Sequence, residues 1–367
     1  MESVVTGKIL KRFLKISVFI LVFIYIFVHM TYVFREPLSH TREHLCGFYS
    51  EKKNTVDVAV IGTSCTFSAI APMQLWEDHG IAAYDFCTNV MLTNTMRYAI
   101  DEIYKTQSPS LLIIDIAPFM NGYIAPDPAD YKEQDTQILR YNTDGFKISA
   151  NRIKLINEVV KNPIKRFNYY FDLFYYHSNP SPEFKNWNWN MPSAYKGYSN
   201  LQTDVVFPDT PSVFDEAESY PLSSDEQAVL DTLLDKIDAE GLNVLFMAGP
   251  YWPVDDRVET RGKARYLQEY LEESGYDFLN LHDHLEEIGM DGTRDYSMDF
   301  NHYSITGAIK TSKFLGQYLT DRYNLPDRRL DAGYDKWRAE YKEWTDTILP
   351  DNISWSERML KEYLDSH

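Results

Sequence analysis

Three residues that together could support acyl transfer occur far apart in this sequence. Ser64 follows a short β-branched run, Val56-Asp-Val-Ala-Val-Ile, and Gly62. Asp299 and His302 lie three residues apart, near the other end of the chain. In a Ser-His-Asp arrangement the carboxylate fixes the imidazole tautomer, and the free ring nitrogen takes the serine proton. We therefore predict that Ser64 is a nucleophile, that His302 is its base and that Asp299 orients His302.

The sequence around Ser64 also fits a simpler explanation. A serine in the first turn of a helix gains from the helix dipole, and its own backbone N–H can face an oxyanion. Glycine and serine after a strand also arise where a serine only caps a helix. An Asp-x-x-His pair is likewise common by chance. The pair here lies between the last strand and the last core helix, and that placement favours catalysis.

The elements that must position these residues are those of an α/β fold with a parallel sheet. Apolar runs alternate with segments of helical spacing, which is typical of βαβ units. The predicted strands are 56–61, 81–86, 110–116, 242–247 and 276–281. The predicted helices are 66–79 with a break at Pro72, 93–106, 223–240, 257–274 and 303–323. This alternation predicts one α/β domain over residues 55–325.

The alternation stops between 118 and 220, which predicts a large, mostly helical insertion at the carboxyl edge of the sheet. Residues 148–160 and 164–176 have helical spacing, and the stretch from Phe167 to Tyr198 is rich in aromatic residues. These rings either form a small core of the insertion or line a carbohydrate-binding cleft. The candidate substrate-binding rings are Trp187, Trp189 and Trp252.

The N-terminus predicts a membrane anchor. Residues 16–34 contain no acidic or basic side chain and, at about 1.5 Å per residue, roughly match the hydrocarbon core of a bilayer. Basic residues precede the run, so the positive-inside rule places residues 1–15 in the cytoplasm and the rest of the chain outside. A cleaved signal peptide is the alternative, although the run is long for one and no small-x-small site follows. The predicted lipid contact is through residues 16–34.

Two flanking segments complete the predicted organisation. Residues 35–54 are polar and are expected to form a stalk. Residues 326–367 form a charged helical tail. Four apolar residues of the tail share one helix face, and packing on the domain is favoured over contact with lipid or a partner: Trp337, Tyr341, Trp344 and Ile348.

Charge and cysteine content exclude some classes of function. The net charge of −18 argues against nucleic acid, because a phosphate-binding protein needs a basic face. Cys65 and Cys87 are expected near the ends of neighbouring strands, either as a disulfide or, as we favour, as two buried thiols; with Cys46 the count is odd. The segment His282-Asp-His284 is better explained as a capped turn than as a metal site. We therefore predict no metal and no cofactor.

The nucleophile and base motifs resemble those of a known family. Gly62-Thr-Ser64 after the first strand and Asp299-Phe-Asn-His302 before the last core helix are similar to the motifs of the SGNH/GDSL hydrolase superfamily. The resemblance covers 55–117 and 223–323, and it implies a flavodoxin-like, three-layer α/β/α sandwich with these three catalytic residues. The anchor, the insertion and the VIGTSCT…AIAP opening resemble its surface branch of DltD-type D-alanyl transfer proteins and SGNH-type polysaccharide O-acetyltransferases.

The chain departs from the family in the oxyanion hole. Family members use a glycine N–H after the second strand and an asparagine from a Gly-x-Asn-Asp motif after the third. Here Cys87-Thr-Asn89 follows the second strand, and Asp115-Ile-Ala-Pro-Phe-Met-Asn121 follows the third. Asn89 and, less directly, Asn121 are the candidate replacements beside the N–H of Ser64. Loss of one oxyanion donor typically costs about 10²–10³ in rate.

These features predict a membrane-anchored, extracytoplasmic serine esterase or acyltransferase that acts on a cell-surface glycan or teichoic-acid-like polymer. Ser64 would attack an acyl carbonyl, and the acyl group would pass to water or to a polymer hydroxyl. The first alternative is a non-catalytic SGNH-like subunit that binds polymer or partners a membrane O-acyltransferase. The second is a purely structural surface protein.

Overall fold

A five-stranded parallel sheet forms the centre of the computed structural model. The strands are β1 (Val58–Ile61), β2 (Ala83–Asp85), β3 (Leu111–Asp115), β4 (Val244–Ala248) and β5 (Asp277–Asn280), in the order β2-β1-β3-β4-β5. This confirms the α/β class and all five predicted strands. The structure describes residues 2–35, 42–127, 129, 132–178, 193–200, 218–249, 258–297 and 301–366.

This strand order has a topological switch point between β1 and β3. The chain leaves β1 to form β2 on one side and then crosses back to form β3 on the other. In such sheets a crevice opens beyond the carboxyl ends of the two strands, and ligands bind there. Ser64 follows β1, and Asp115 ends β3. The strand order therefore places both residues beside the crevice.

The strands are apolar throughout because both faces of the sheet are covered. Along β1, Ala59 and Ile61 pack into one hydrophobic cluster, whereas Val58 and Val60 pack into a second. Residues of β3 divide between the same two clusters. A strand covered on both faces reads as a continuous hydrophobic run rather than an alternating one. That is why β3 could be predicted from its run of aliphatic side chains.

Helices precede, connect and follow the strands, and they are numbered here in chain order. They are α1 (Glu2–Phe34), α2 (Ser64–Ala69), α3 (Pro72–His79), α4 (Thr93–Ile103), α5 (Ala117–Met120), α6 (Glu133–Thr143), α7 (Ala150–Val159), α8 (Pro163–Tyr170), α9 (Asp172–Tyr176), α10 (Ser224–Glu240), α11 (Val258–Glu273), α12 (Leu285–Ile288), α13 (Ile305–Arg322), α14 (Asp335–Glu343) and α15 (Leu349–Ser366). A 3-10 turn, Leu281–His284, precedes α12, and two π-helical turns lie at Arg42–Cys46 and Trp344–Ile348.

The break at Pro72 is confirmed. Ala71 is extended, with a ψ of 98°, and Pro72 begins α3. Proline disfavours helical geometry in the residue before it but suits the first turn of a helix. The segment predicted as one interrupted helix is therefore two helices, α2 and α3.

The insertion packs onto the main domain. Leu139, Leu155 and Tyr169 are buried in the same hydrophobic cluster as one face of the sheet. Of the described aromatic residues between Phe167 and Tyr198, Tyr169 and Tyr198 therefore belong to the main core and not to a separate core of the insertion. Helix α6 was not predicted, whereas α7 lies within the predicted segment 148–160, and the predicted segment 164–176 is two helices, α8 and α9, of which α8 begins one residue earlier.

The segment expected to be a polar stalk is partly buried. Leu45, Cys46 and Phe48 are inaccessible to solvent or nearly so, and the Phe48 ring lies 4.9 Å from the ring of Phe86 at the end of β2. The hydroxyl of Tyr84 donates to the His44 carbonyl at 2.8 Å. Burial of these apolar side chains outweighs the polar composition around them, so residues 44–48 belong to the domain core.

One described helix, α1, is long and apolar enough to cross a membrane over Gly7–Phe34. Residues 7–16 and 18–26 are exposed along it, whereas its last turns are covered by the insertion. Its orientation across a membrane remains a prediction from the basic residues that precede the apolar run.

The tail packs on the domain, as predicted. Trp337 of α14 stacks on Trp76 of α3 with ring centroids 5.3 Å apart. Trp344 is fully buried, and Ile348 is nearly so. The shared apolar face of the tail is therefore part of the main core.

Candidate active site

The turn after β1 positions Ser64 as the first residue of α2. Gly62 ends the strand, and Thr63 is the extended N-cap residue of the helix. A Cβ at position 62 would lie 2.1 Å from Thr66 Oγ1 and 2.9 Å from Asp115 Cβ. No real Cβ is accommodated at such distances, so only glycine allows the chain to turn this closely against β3. The requirement for Gly62 is therefore steric.

A buried network holds the nucleophile turn against β3. The Thr63 N–H donates to Thr66 Oγ1 at 2.9 Å, and the Thr66 hydroxyl donates to Asp115 Oδ2 at 2.5 Å. The other carboxylate oxygen of Asp115 accepts the N–H of Ala117 at 3.0 Å. Burial raises the pKa of Asp115 to about 6, although these hydrogen bonds partly oppose the rise. The Asp115 carboxyl therefore lies behind Ser64 and stabilises the turn that carries it.

His302 reaches Ser64 from a short antiparallel ribbon that the sequence did not predict. Strands β6 (Tyr296–Ser297) and β7 (His302–Tyr303) pair so that Ser297 lies opposite His302. The Tyr303 N–H donates to Ser68 Oγ at 3.3 Å, which attaches the ribbon to α2. Ser304 then caps α13.

The side chains of His302 and Ser64 meet in hydrogen-bond contact. His302 Nε2 lies 2.9 Å from Ser64 Oγ and 3.8 Å from the Sγ of Cys65. The first distance is within the range over which a general base takes a hydroxyl proton. The two residues predicted to act together therefore do come together, from positions 238 apart in sequence.

Several predicted site residues lie outside the described residues, and their roles stay predictions. These are Asp299, Trp187, Trp189 and Trp252. Asp299 is in the segment that connects β6 to β7.

The turn that carries Asn89 lies beside the nucleophile turn. The N–H of Thr88 donates to the Gly62 carbonyl at 3.3 Å, so Asn89 is one residue from a direct contact with the Ser64 turn. Val90 has a φ of +47°, which a β-branched residue rarely adopts. Such conformations persist only where the surrounding structure imposes them. Asn89 therefore lies in a turn bonded to the Ser64 turn, and its role as an oxyanion donor stays a prediction.

Asn142 imposes that conformation, a role that no motif or spacing in the sequence indicates. It is fully buried on α6, its Nδ2 donates to the Val90 carbonyl at 3.0 Å, and its Oδ1 accepts the Leu92 N–H at 2.9 Å. A second bond from Nδ2 to the Ile138 carbonyl, at 2.8 Å, fixes the amide on its own helix. The side chain thus clamps the turn on both sides of Met91.

Asn121 is placed differently from Asn89. It ends α5, is exposed, and donates through Nδ2 to the Ala117 carbonyl at 2.8 Å. This contact ties the amide to its own helix rather than to Ser64. The turn that carries Asn89, by contrast, is bonded to the Ser64 turn.

The disulfide considered for Cys65 and Cys87 is not formed. Cys87 is buried, and burial raises the pKa of its thiol well above the usual value. Cys65 is partly exposed, not buried as expected, because it lies beside His302 in the site.

Comparison with known proteins gives no independent assignment. No protein-family model matches the chain, and no curated protein matches it.

Proposed function

We propose that this chain is a membrane-anchored SGNH-type serine esterase or acyltransferase with a three-layer α/β/α sandwich. The observation that carries the proposal is the 2.9 Å contact between Ser64 Oγ and His302 Nε2. It lies beyond the carboxyl ends of the strands, at the switch point of the sheet, where such folds bind ligands. A purely structural role does not explain why a serine and a histidine are in hydrogen-bond contact at this position.

The chemistry follows from these contacts. Ser64 Oγ attacks an acyl carbonyl while its proton moves to His302 Nε2, and the carbonyl oxygen becomes an oxyanion. The Ser64 N–H and the Asn89 amide are the proposed donors to that oxygen. The intermediate then collapses as His302 protonates the leaving oxygen, which leaves the acyl group on Ser64. A second hydroxyl, activated by His302, takes the acyl group and restores the serine.

The proposed acceptor or substrate is a surface glycan or teichoic-acid-like polymer. A chain with a net charge of −18 suits neutral or cationic groups on such a polymer better than polyanionic nucleic acid. Whether water or a polymer hydroxyl takes the acyl group decides between esterase and transferase. Asp299 remains the proposed orienting carboxylate of His302.

Labelling of the full-length protein with a fluorophosphonate tests the nucleophile. The probe should label the wild type, and both Ser64→Ala and His302→Ala should abolish labelling. Ser108→Ala is the matched control, because Ser108 is an exposed serine bonded only weakly to Asn54, at 3.3 Å. Labelling that persists in folded Ser64→Ala protein would remove the basis of the proposal.

A second candidate is a non-catalytic subunit that docks on a membrane O-acyltransferase. The observation that favours it is the absence of the family's oxyanion glycine and Gly-x-Asn-Asp motif after β2 and β3. It predicts that cells carrying Ser64→Ala retain normal polymer acylation and that the protein copurifies with a multispanning partner. Loss of acylation in those cells would favour the enzyme instead.

A further inference from the structure

An exposed apolar face lies on the insertion, next to the N-terminal helix. Apart from Tyr220 and Leu330, every strongly exposed large hydrophobic side chain that the described residues carry outside α1 falls between 148 and 175. They are Ile148, Ile153, Ile164, Phe167, Phe171, Phe174 and Tyr175. Ile164 is 88% exposed. Exposed apolar side chains concentrated in one region indicate a contact surface for lipid or protein.

This face is continuous with α1. The ring of Phe27 lies 6.2 Å from that of Phe171 and 6.4 Å from that of Phe174. Phe167 extends the cluster, with ring centroids 5.0 Å and 5.4 Å from the same two rings. The medium that surrounds α1 at the level of Phe27 therefore also contacts α8 and α9.

Buried ion pairs fix the end of α1 to the insertion. Arg35 is 2% exposed, donates to the Asp144 carbonyl at 2.7 Å and pairs with Asp172. Asp172 also pairs with Arg140 and Arg152, each at 2.8 Å. The insertion is therefore held at a fixed position along the axis of α1.

The position of Phe27 along α1 shows how deep the insertion lies relative to the end of the apolar run. The apolar run ends at Phe34, seven residues after Phe27, so Phe27 lies about 10 Å inside that end at about 1.5 Å per residue. If the span shifts toward the N-terminus by a turn, the depth is still about 5 Å. Amphipathic helices that lie in a bilayer interface bury their apolar face by about 5–10 Å.

Charge around the face suits a lipid surface. Between 148 and 175 the acidic residues are Glu158 and Asp172, of which Asp172 is fully buried, although the whole chain is strongly acidic. Basic residues of that stretch include Lys154 and Lys161, which are exposed. Apolar side chains bordered by lysines are typical of helices that lie on membranes with anionic headgroups.

We infer that α8 and α9, with Ile153 of α7, lie in the membrane leaflet next to the C-terminal end of α1. The occupant of the exposed face is lipid, because the face shares its depth and its ring cluster with the helix proposed to span the membrane. The domain would thus be seated on the bilayer in one orientation instead of hanging from a flexible anchor. The inference does not depend on chemistry at Ser64.

Lipid quenching of a site-specific label tests this contact. Full-length protein carrying Ile164→Cys in a Cys65→Ser background is labelled with an environment-sensitive fluorophore and placed in phosphatidylcholine–phosphatidylglycerol vesicles. Cys46 and Cys87 are buried and should not react. Nitroxide-labelled lipid should quench the label at 164 several-fold more than a label at Leu330→Cys, an equally exposed site far along the chain.

A second label at Ile153→Cys, also on an exposed side chain, guards against a local effect at 164 and should be quenched as well. Equal, weak quenching at 164, 153 and 330 in folded protein would overturn the inference. So would a blue-shifted but unquenched label at 164 together with disulfide cross-linking of Ile164→Cys between copies, because that result assigns the face to a second copy of the chain.

Discussion

Asp115 lies behind the nucleophile, and burial in the fold raises the pKa of its carboxyl. Its carboxyl is buried under Thr66, which in turn holds the Thr63 N–H, so its state affects the Ser64 turn. Because burial raises its pKa from 3.8 to about 6, the folded state binds the proton more tightly than the unfolded state does. The contribution of Asp115 to stability is therefore most favourable below the unfolded pKa and declines as the pH rises to about 6.

Asp115→Asn should remove this pH dependence. Relative to the wild type, the variant should gain up to about 3 kcal/mol in free energy of unfolding between about pH 4 and pH 7, since a shift of about two units corresponds to that energy. Urea denaturation of both proteins across this range measures the difference. A gap between the two proteins that does not change with pH would contradict the assignment to Asp115.

At the scale of elements, the turn after β2 is the part of the site that most depends on a distant helix. Val90 keeps its unusual backbone conformation while Asn142 of α6 bonds the chain on both sides of Met91. The same turn carries Asn89, the favoured oxyanion donor. Rigidity in this turn is therefore supplied by the insertion rather than by β2.

Asn142→Ala should loosen the turn. It leaves the buried Leu92 N–H and Val90 carbonyl without their partner, and each unsatisfied group costs about 1–3 kcal/mol. Thermal melting should show the loss of stability. Ester turnover should also fall if Asn89 is the donor.

Asn121→Ala is the matched control for this change. Asn121 is exposed and bonds only its own helix, so its removal should change stability by no more than about 0.5 kcal/mol. Equal losses in the two variants would contradict a special role for Asn142.

A helix or strand could be predicted from the sequence when its apolar pattern lies within its own residues. All five strands and most helices were predicted, because each carries its apolar pattern within its own residues. Helix α6 was missed because its sequence, EQDTQILRYNT, has only Ile138 and Leu139 as a hydrophobic pair. Strands β6 and β7 could not be predicted because each has two residues, and the pair is attached to α2 through Tyr303 of β7.

The site could be predicted only in part for the same reason. Ser64 and His302 could be predicted as a pair from their residue types and from their positions next to predicted strands and helices. The fold brings the two side chains into contact. Asn142 and Asp115 act through tertiary contacts that no spacing encodes. Residues 44–48 were assigned to a stalk because charged neighbours masked Leu45 and Phe48, whose burial depends on β2.

At the scale of the whole molecule, a buried ion cluster joins the end of α1 to the insertion. Asp172 is fully buried and faces Arg35, Arg140 and Arg152. The cluster includes Asp144, which pairs with Arg140 at 3.2 Å. Removal of one partner from a buried ion pair is far more damaging than loss of an exposed pair, because the remaining charge stays buried.

Asp172→Asn should destabilise the full-length protein by about 3–5 kcal/mol, because it leaves three buried guanidinium groups with too little negative charge. Denaturation in detergent measures the effect. Glu158→Gln is the control, since the pair of Glu158 with Arg97 is about one-third exposed and is expected to be worth about 0–1 kcal/mol. Similar losses for both variants would mean that the buried cluster does not hold α1 to the insertion.

The contact between Ser64 and His302 also has a consequence for the timing of synthesis. It joins residues 238 apart, so the serine is made long before the histidine that would activate it. A chain that is still emerging carries an ordinary alcohol at position 64, and such long-range contacts form late in folding. Reactivity would therefore begin only after the ribbon and α13 have emerged and packed on α2. A nascent chain would be protected in this way from acylating itself or its neighbours during export.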